Sequence, residues 1–191
     1  ISSSSSAAAS YTVGGKVSGL SGTLILENNG ELITRTTNGA YTFPTPVVSG
    51  AAYLVLINSQ PTGQNCSIVN KSGTIGSVNV ANVDITCITA TYTIAGNVYG
   101  LSGSLKLQNN AGDEITVNTS GGFIFPTSLN YGSSFSVTVS QQPSGQTCTV
   151  IKGTGSNLTD NFWGVAVSCA ASPTPATFTV GGTIKTTNQA A

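Results

Sequence analysis

Four side chains in this sequence combine distinctive chemistry with distinctive spacing: Cys66, Cys87, Cys148 and Cys169. Each pair is 21 positions apart, and each member of the first pair precedes its counterpart by 82 positions. A nucleophilic cysteine needs a neighbouring base to hold it as thiolate, and the chain has no His. Four thiolates can bind zinc, but the close C-x₂₋₄-C pairs of structural zinc sites are missing. The remaining chemistry is oxidation to two disulfides. Four cysteines allow three connectivities, and the repetition favours Cys66–Cys87 with Cys148–Cys169. Closing a loop of this length stabilises a fold by roughly 3 kcal/mol, and it implies an oxidising compartment.

Other reactive chemistry is sparse. Six Lys+Arg balance six Asp+Glu, so no field attracts nucleic acid or an anionic membrane. The absence of His and Met removes the commonest general base, the commonest metal ligand and the most adaptable apolar side chain. No cofactor and no catalytic residue are expected. Asp113 and Glu114 after "NNAG" suit calcium by ligand type, but the first half has only Glu31 there, and a charged hairpin turn is the simpler reading. "NKS" at 70, "NTS" at 118 and "NLT" at 157 fit the N-glycosylation pattern, which a chain rich in Asn, Ser and Thr matches by coincidence. Apolar runs such as "AAYLVLI" at 51–57 fall far short of the roughly 20 residues of a membrane-spanning helix. "ISSSSSAAAS" at 1–10 reads as a flexible linker and not as a signal peptide, so a mature or trimmed product is expected.

The elements that carry the cysteines repeat. "GLSGTLILENNGE" at 19–31 matches "GLSGSLKLQNNAGDE" at 100–114 with a two-residue insertion in the second copy. "NGAYTFPT" at 38–45 matches "SGGFIFPT" at 120–127, and "QPTGQNC" at 60–66 matches "QPSGQTC" at 142–148. Within each copy the apolar period is two, as in Phe135, Val137 and Val139 against Ser134, Ser136 and Thr138. "ENNGE" supplies the Asn-Gly pair of a tight hairpin, and Pro44 and Pro126 close a strand or mark an edge. The pattern predicts an all-β fold of two tandem immunoglobulin-like antiparallel β-sandwiches, about seven strands and one disulfide each. Expected boundaries are a Ser/Ala-rich linker at 1–10, sandwiches at 11–89 and 90–170, a Pro-containing linker at 171–176 and a last strand at 177–191.

The order "GGKV", "LIL", "GAYTF", "AAYLVLI", repeated as "AGNV", "LKL", "GGFIF", "SSFSVTV", resembles the prealbumin-like, carboxypeptidase-regulatory-like and collagen-adhesin B-type modules. With the "QPxGQxC" element it is also similar to tandem repeats of large bacterial surface proteins. The resemblance implies an extracellular structural role on a bacterial cell surface. It also raises an internal isopeptide between Lys16 of the first strand and Asp84 of the last. Strand parity argues against this bond, because Tyr11, Val13 and Val17 share the core phase and Lys16 does not, and Asp84 alternates against Val83 and Ile85.

The copies differ on one side each. Leu54 and Leu56 stand where the second copy has Ser136 and Thr138, while Phe162 and Trp163 replace Val80 and Ala81. These four are candidates for contact with a neighbouring module or subunit. "TFTVGGTIK" at 177–185 resembles the opening strands "YTVGGKV" and "YTIAGNV", with Phe178, Val180 and Ile184 on one face. Two explanations are open: the natural protein continues into a third module, or the strand completes a sheet in another copy. The expected function is a non-catalytic stalk or filament material whose partners are further repeats or other copies of itself. A carbohydrate-binding or adhesin module is the alternative.

Overall fold

The computed structural model describes residues 7–173 and 181–182. The first ten strands are β1 (Ser10–Tyr11), β2 (Gly14–Ser18), β3 (Leu24–Asn28), β4 (Glu31–Arg35), β5 (Gly39–Thr42), β6 (Val47–Val48), β7 (Ala52–Ser59), β8 (Gln64–Ile68), β9 (Ser72–Thr74) and β10 (Ile85–Thr89). The next ten are β11 (Thr91–Tyr92), β12 (Ile94–Tyr99), β13 (Leu105–Asn109), β14 (Asp113–Val117), β15 (Gly121–Ile124), β16 (Leu129–Asn130), β17 (Phe135–Gln141), β18 (Gln146–Ile151), β19 (Thr154–Gly155) and β20 (Phe162–Ala171). No helix occurs among the described residues.

The strands form two sandwich-like sets with the same order. In the first, β5-β2-β10-β8 faces β4-β3-β7-β9, and β1 pairs β6. In the second, β15-β12-β20-β18 faces β14-β13-β17-β19, and β11 pairs β16. Each set thus has ten strands rather than the expected seven, two four-stranded sheets and one two-residue pair. The alternation read from the sequence sends one face of the longer sheet strands inward. Val17, Leu24, Leu26, Phe43 and Val55 lie in one core, and Val98, Leu105, Leu107, Phe125 and Val167 in the other.

The sheets are antiparallel with one exception in each set. The opening strand runs parallel to the closing one, β2 beside β10 and β12 beside β20. The chain approaches itself closely there, since a Cβ on Gly15 or Gly96 would overlap the carbonyl of Val83 or Val165. This is the physical need behind the glycine of "GGKV" and "AGNV".

The β3–β4 turn is Asn29-Gly30, with φ of 49° and 91°, the left-handed pair that a two-residue hairpin requires. The register sets Asn28 opposite Glu31, and Asn109 opposite Asp113. The second copy is therefore longer by one residue, not two, and Asp113 rather than Glu114 holds the place of Glu31. Glu31 accepts from the Thr45 N–H (3.2 Å) and hydroxyl (2.8 Å), and Asp113 from the Thr127 N–H (3.2 Å).

The disulfides are Cys66–Cys87 and Cys148–Cys169. Each joins directly opposed residues of neighbouring strands, β8 with β10 and β18 with β20, with Cα atoms 3.9 and 4.0 Å apart. They tie the outermost strand to its own sheet and do not cross the sandwich. Replacing Cys148 and Cys169 by Ser is expected to destabilise the fold by about 3 kcal/mol, read from the urea midpoint.

Tyr41, buried in the first core, donates its hydroxyl to the Val83 carbonyl at 2.8 Å. Burial pushes this hydroxyl well above its ordinary pKa, and the Asp84 carboxylate adds to the rise. Folding favours the neutral phenol, so its contribution is intact below the unfolded value of about 10 and lost as pH rises above it. Tyr41→Phe, matching Phe123 of the second copy, is expected to flatten the fall of melting temperature above about pH 10.

Candidate functional site

One ion pair occurs among the described residues. Lys106 pairs with Glu114 at 2.9 Å, and this hydrogen bond, with a second from the Ser140 hydroxyl, holds the exposed Glu114 carboxyl below the usual range. Asp113 and Glu114 take different partners on alternate faces of β14, so they do not converge on a cation. Among the described residues no three His, Cys, Asp or Glu side chains gather. Lys16 and Asp84 are both exposed, and the Asp84 carboxylate accepts the backbone N–H of Lys16 at 2.9 Å.

The residues that organise the surface are amides. At the edge strand β8, the Gln60 side chain accepts the Cys66 N–H (2.8 Å) and donates to the Cys66 carbonyl (3.0 Å). Gln142 does the same for Cys148 at 2.7 and 3.0 Å. One carboxamide thus satisfies both outward backbone groups as a neighbouring strand would. The second glutamine of the motif clamps the "GLSG" loop. Gln64 accepts from the Ser21 N–H and donates to the Gly19 carbonyl (2.7 and 2.8 Å), and Gln146 repeats this at Ser102 and Gly100. "QPxGQxC" was legible as a repeat marker; that both glutamines act through bidentate amides was not.

The two sets meet at Ala90, which is buried. Its N–H donates to the Gly63 carbonyl (2.9 Å) and its carbonyl accepts the Tyr131 N–H (2.8 Å). The Tyr131 ring lies over Gly63, where a Cβ would overlap it. This contact does not involve Leu54, Leu56, Phe162 or Trp163. Leu54 and Leu56 are 41% and 40% exposed on β7, and Trp163 is 58% exposed on β20. Phe162 is half-buried against the second core, 4.8 Å from the Phe135 ring. The structure does not bring the four together. Phe178, Val180 and Ile184 lie outside the described residues.

Trp163 does form part of a shelf. With Ile124, Asn97 and the glycine floor of Gly96 and Gly122 it lines an open cleft of about 570 Å³ on the outer face of the β15-β12-β20 sheet. The first copy has Lys16, Thr42 and Ala81 at the places of Asn97, Ile124 and Trp163.

No family model matches the chain, and neither does any curated protein. Among solved structures the chain is similar to the Bacillus anthracis TIE protein, with a TM-score of 0.53 and 12% identity over 85% of this chain and 34% of that one. This likeness shows the fold, and the chain spans about a third of that protein's length. Two other similar structures are the shaft pilin spaA from Lactobacillus rhamnosus GG (TM-score 0.33, 12% identity, 87% of this chain and 100% of that one) and a C-terminal fragment of the pilus adhesin SpaC from the same organism (0.32, 14%, 85% and 96%).

Gln142→Ala removes two hydrogen bonds and is expected to cost about 1–3 kcal/mol in urea denaturation. Gln142→Glu should recover little of it, because a carboxylate accepts the Cys148 N–H but cannot donate to the Cys148 carbonyl.

Proposed function

We propose that this chain is a non-catalytic structural protein of a bacterial cell surface, two sandwich modules at 11–89 and 90–170 serving as stalk or filament material. The observation that carries the reading is the junction. Ala90 is hydrogen-bonded to both sets at once, and an aromatic ring rests on a glycine beside it, so the sets are braced end to end with little slack. The disulfides and glutamine clamps at β8 and β18 add resistance to fraying at sheet edges, as an extracellular load-bearing element needs.

Assembly, in this reading, proceeds by strand addition through residues 177–184. Their sequence alternates Phe178, Val180 and Ile184 with threonines and belongs to the same type as β2, which pairs antiparallel with β5. Main-chain ladders of this kind give affinity, and alternate side chains give specificity. A second reading has one observation in its favour: the Trp163 shelf, with the Asn97 amide beside it, suits stacking of a sugar ring.

Electron microscopy of native material is expected to show regular fibres. Monomers at all concentrations that are retained on a polysaccharide column would contradict the structural reading and favour the shelf.

A further inference from the structure

The two copies treat one sheet edge differently. In the first set the Arg35 guanidinium, at the end of β4, donates to the Ala40 carbonyl of the edge strand β5 at 3.2 Å. The side chain thereby crosses the mouth between the two sheets and occupies an outward-facing group of the edge. In the second set Val117 stands at the place of Arg35 and Gly122 at that of Ala40. No side chain among the described residues reaches β15 in this way, and the mouth is a groove of about 640 Å³ running from Ile115 to Ile124.

The backbone of β15 fits an added strand. Phe125 donates inward to the Ile94 carbonyl, and antiparallel alternation then turns the N–H and C=O of Gly122 and Ile124 away from β12. Both residues are exposed. A strand laid there would set one row of side chains over the groove beside the half-buried Ile115 and Val117, and the other row toward solvent.

We propose that this outer edge of β15 is the acceptor for strand addition and that residues 177–184 of a second copy fill it, antiparallel to β15. The inference rests on the strand-addition reading above and names its docking site. The occupant follows from three facts. Phe178, Val180 and Ile184 fall on one row, suited to the groove, while Thr177, Thr179 and Thr183 fall on the other. A segment of the same type, β2, already pairs antiparallel with the counterpart strand β5. The chain's own copy cannot reach in this orientation. A strand antiparallel to β15 must start beside Ile124, one position beyond the level of Val165, whereas β20 ends at Ala171. The gap is about 23 Å along the sheet and about 14 Å across it, about 27 Å in a straight line, and the six steps from Ala171 to Thr177 extend at most about 22 Å.

The test is sedimentation velocity of the full chain and two variants. Val117→Arg restores the arginine of the first set and closes the acceptor; Phe178→Asp spoils the donor. Each is expected to weaken assembly at least tenfold, and mixing the two should give heterodimers and nothing larger, since one retains only a donor and the other only an acceptor. If Phe178→Asp disrupts assembly while Val117→Arg assembles like wild type, strand donation stands and the acceptor assigned here is wrong. If Phe178→Asp assembles like wild type, or the wild type stays monomeric at every concentration, the strand-addition reading itself fails. Should Val117→Arg not fold, hydrogen exchange in the wild type decides: the Gly122 and Ile124 amides slow at least tenfold on assembly, and unchanged exchange overturns the proposal.

Discussion

An unpaired N–H or C=O at a sheet edge is the group this fold has to manage, because an exposed edge either frays or recruits another strand. Proteins commonly blunt edges with charge, but six basic and six acidic residues leave little of it to spend. The chain relies instead on neutral hydrogen-bonding groups and covalent ties. Gln60 and Gln142 each act as a one-residue surrogate strand on the outermost ladder, and the disulfide behind each clamp keeps that ladder attached to its sheet. The clamps are neutral, so salt does not screen them as it would surface ion pairs.

The same logic explains why the two copies are not interchangeable. Arg35 covers an edge that Val117 leaves open, and Ser49, the counterpart of Tyr131, donates its N–H to Ala9 in a contact like that of Tyr131 with Ala90. The backbone geometry of a junction is therefore present at the start of both sets, while the ring on glycine belongs to one. Shared framework and divergent contact are separable in this way because strand register is fixed by core alternation, which leaves outward positions free to differ.

Much of the framework was legible. Period-two alternation, Asn-Gly turns and repeated cysteines gave the fold and the ladder that each disulfide closes, since these signals act locally in sequence. The parallel pairing of β2 with β10 was not, because it joins residues some 68 positions apart and glycine alone does not say which carbonyl it must clear. The one-sided hydrophobics stood out through the differences between the copies, which do not say which way each side chain points: Phe162 packs inward and Trp163 faces solvent. Adjacent strand positions point to opposite faces, so a doublet of aromatics cannot share one role. The contact between the two sets, Tyr131 on Gly63, carries no periodic signature.

The central claim is that glutamine clamps close β8 and β18 while β15 remains open. Residue-resolved amide exchange in the dilute monomer tests it most directly. The account predicts slow exchange at Cys66 and Cys148 and nearly free exchange at Gly122 and Ile124; comparable rates at all four amides would contradict it.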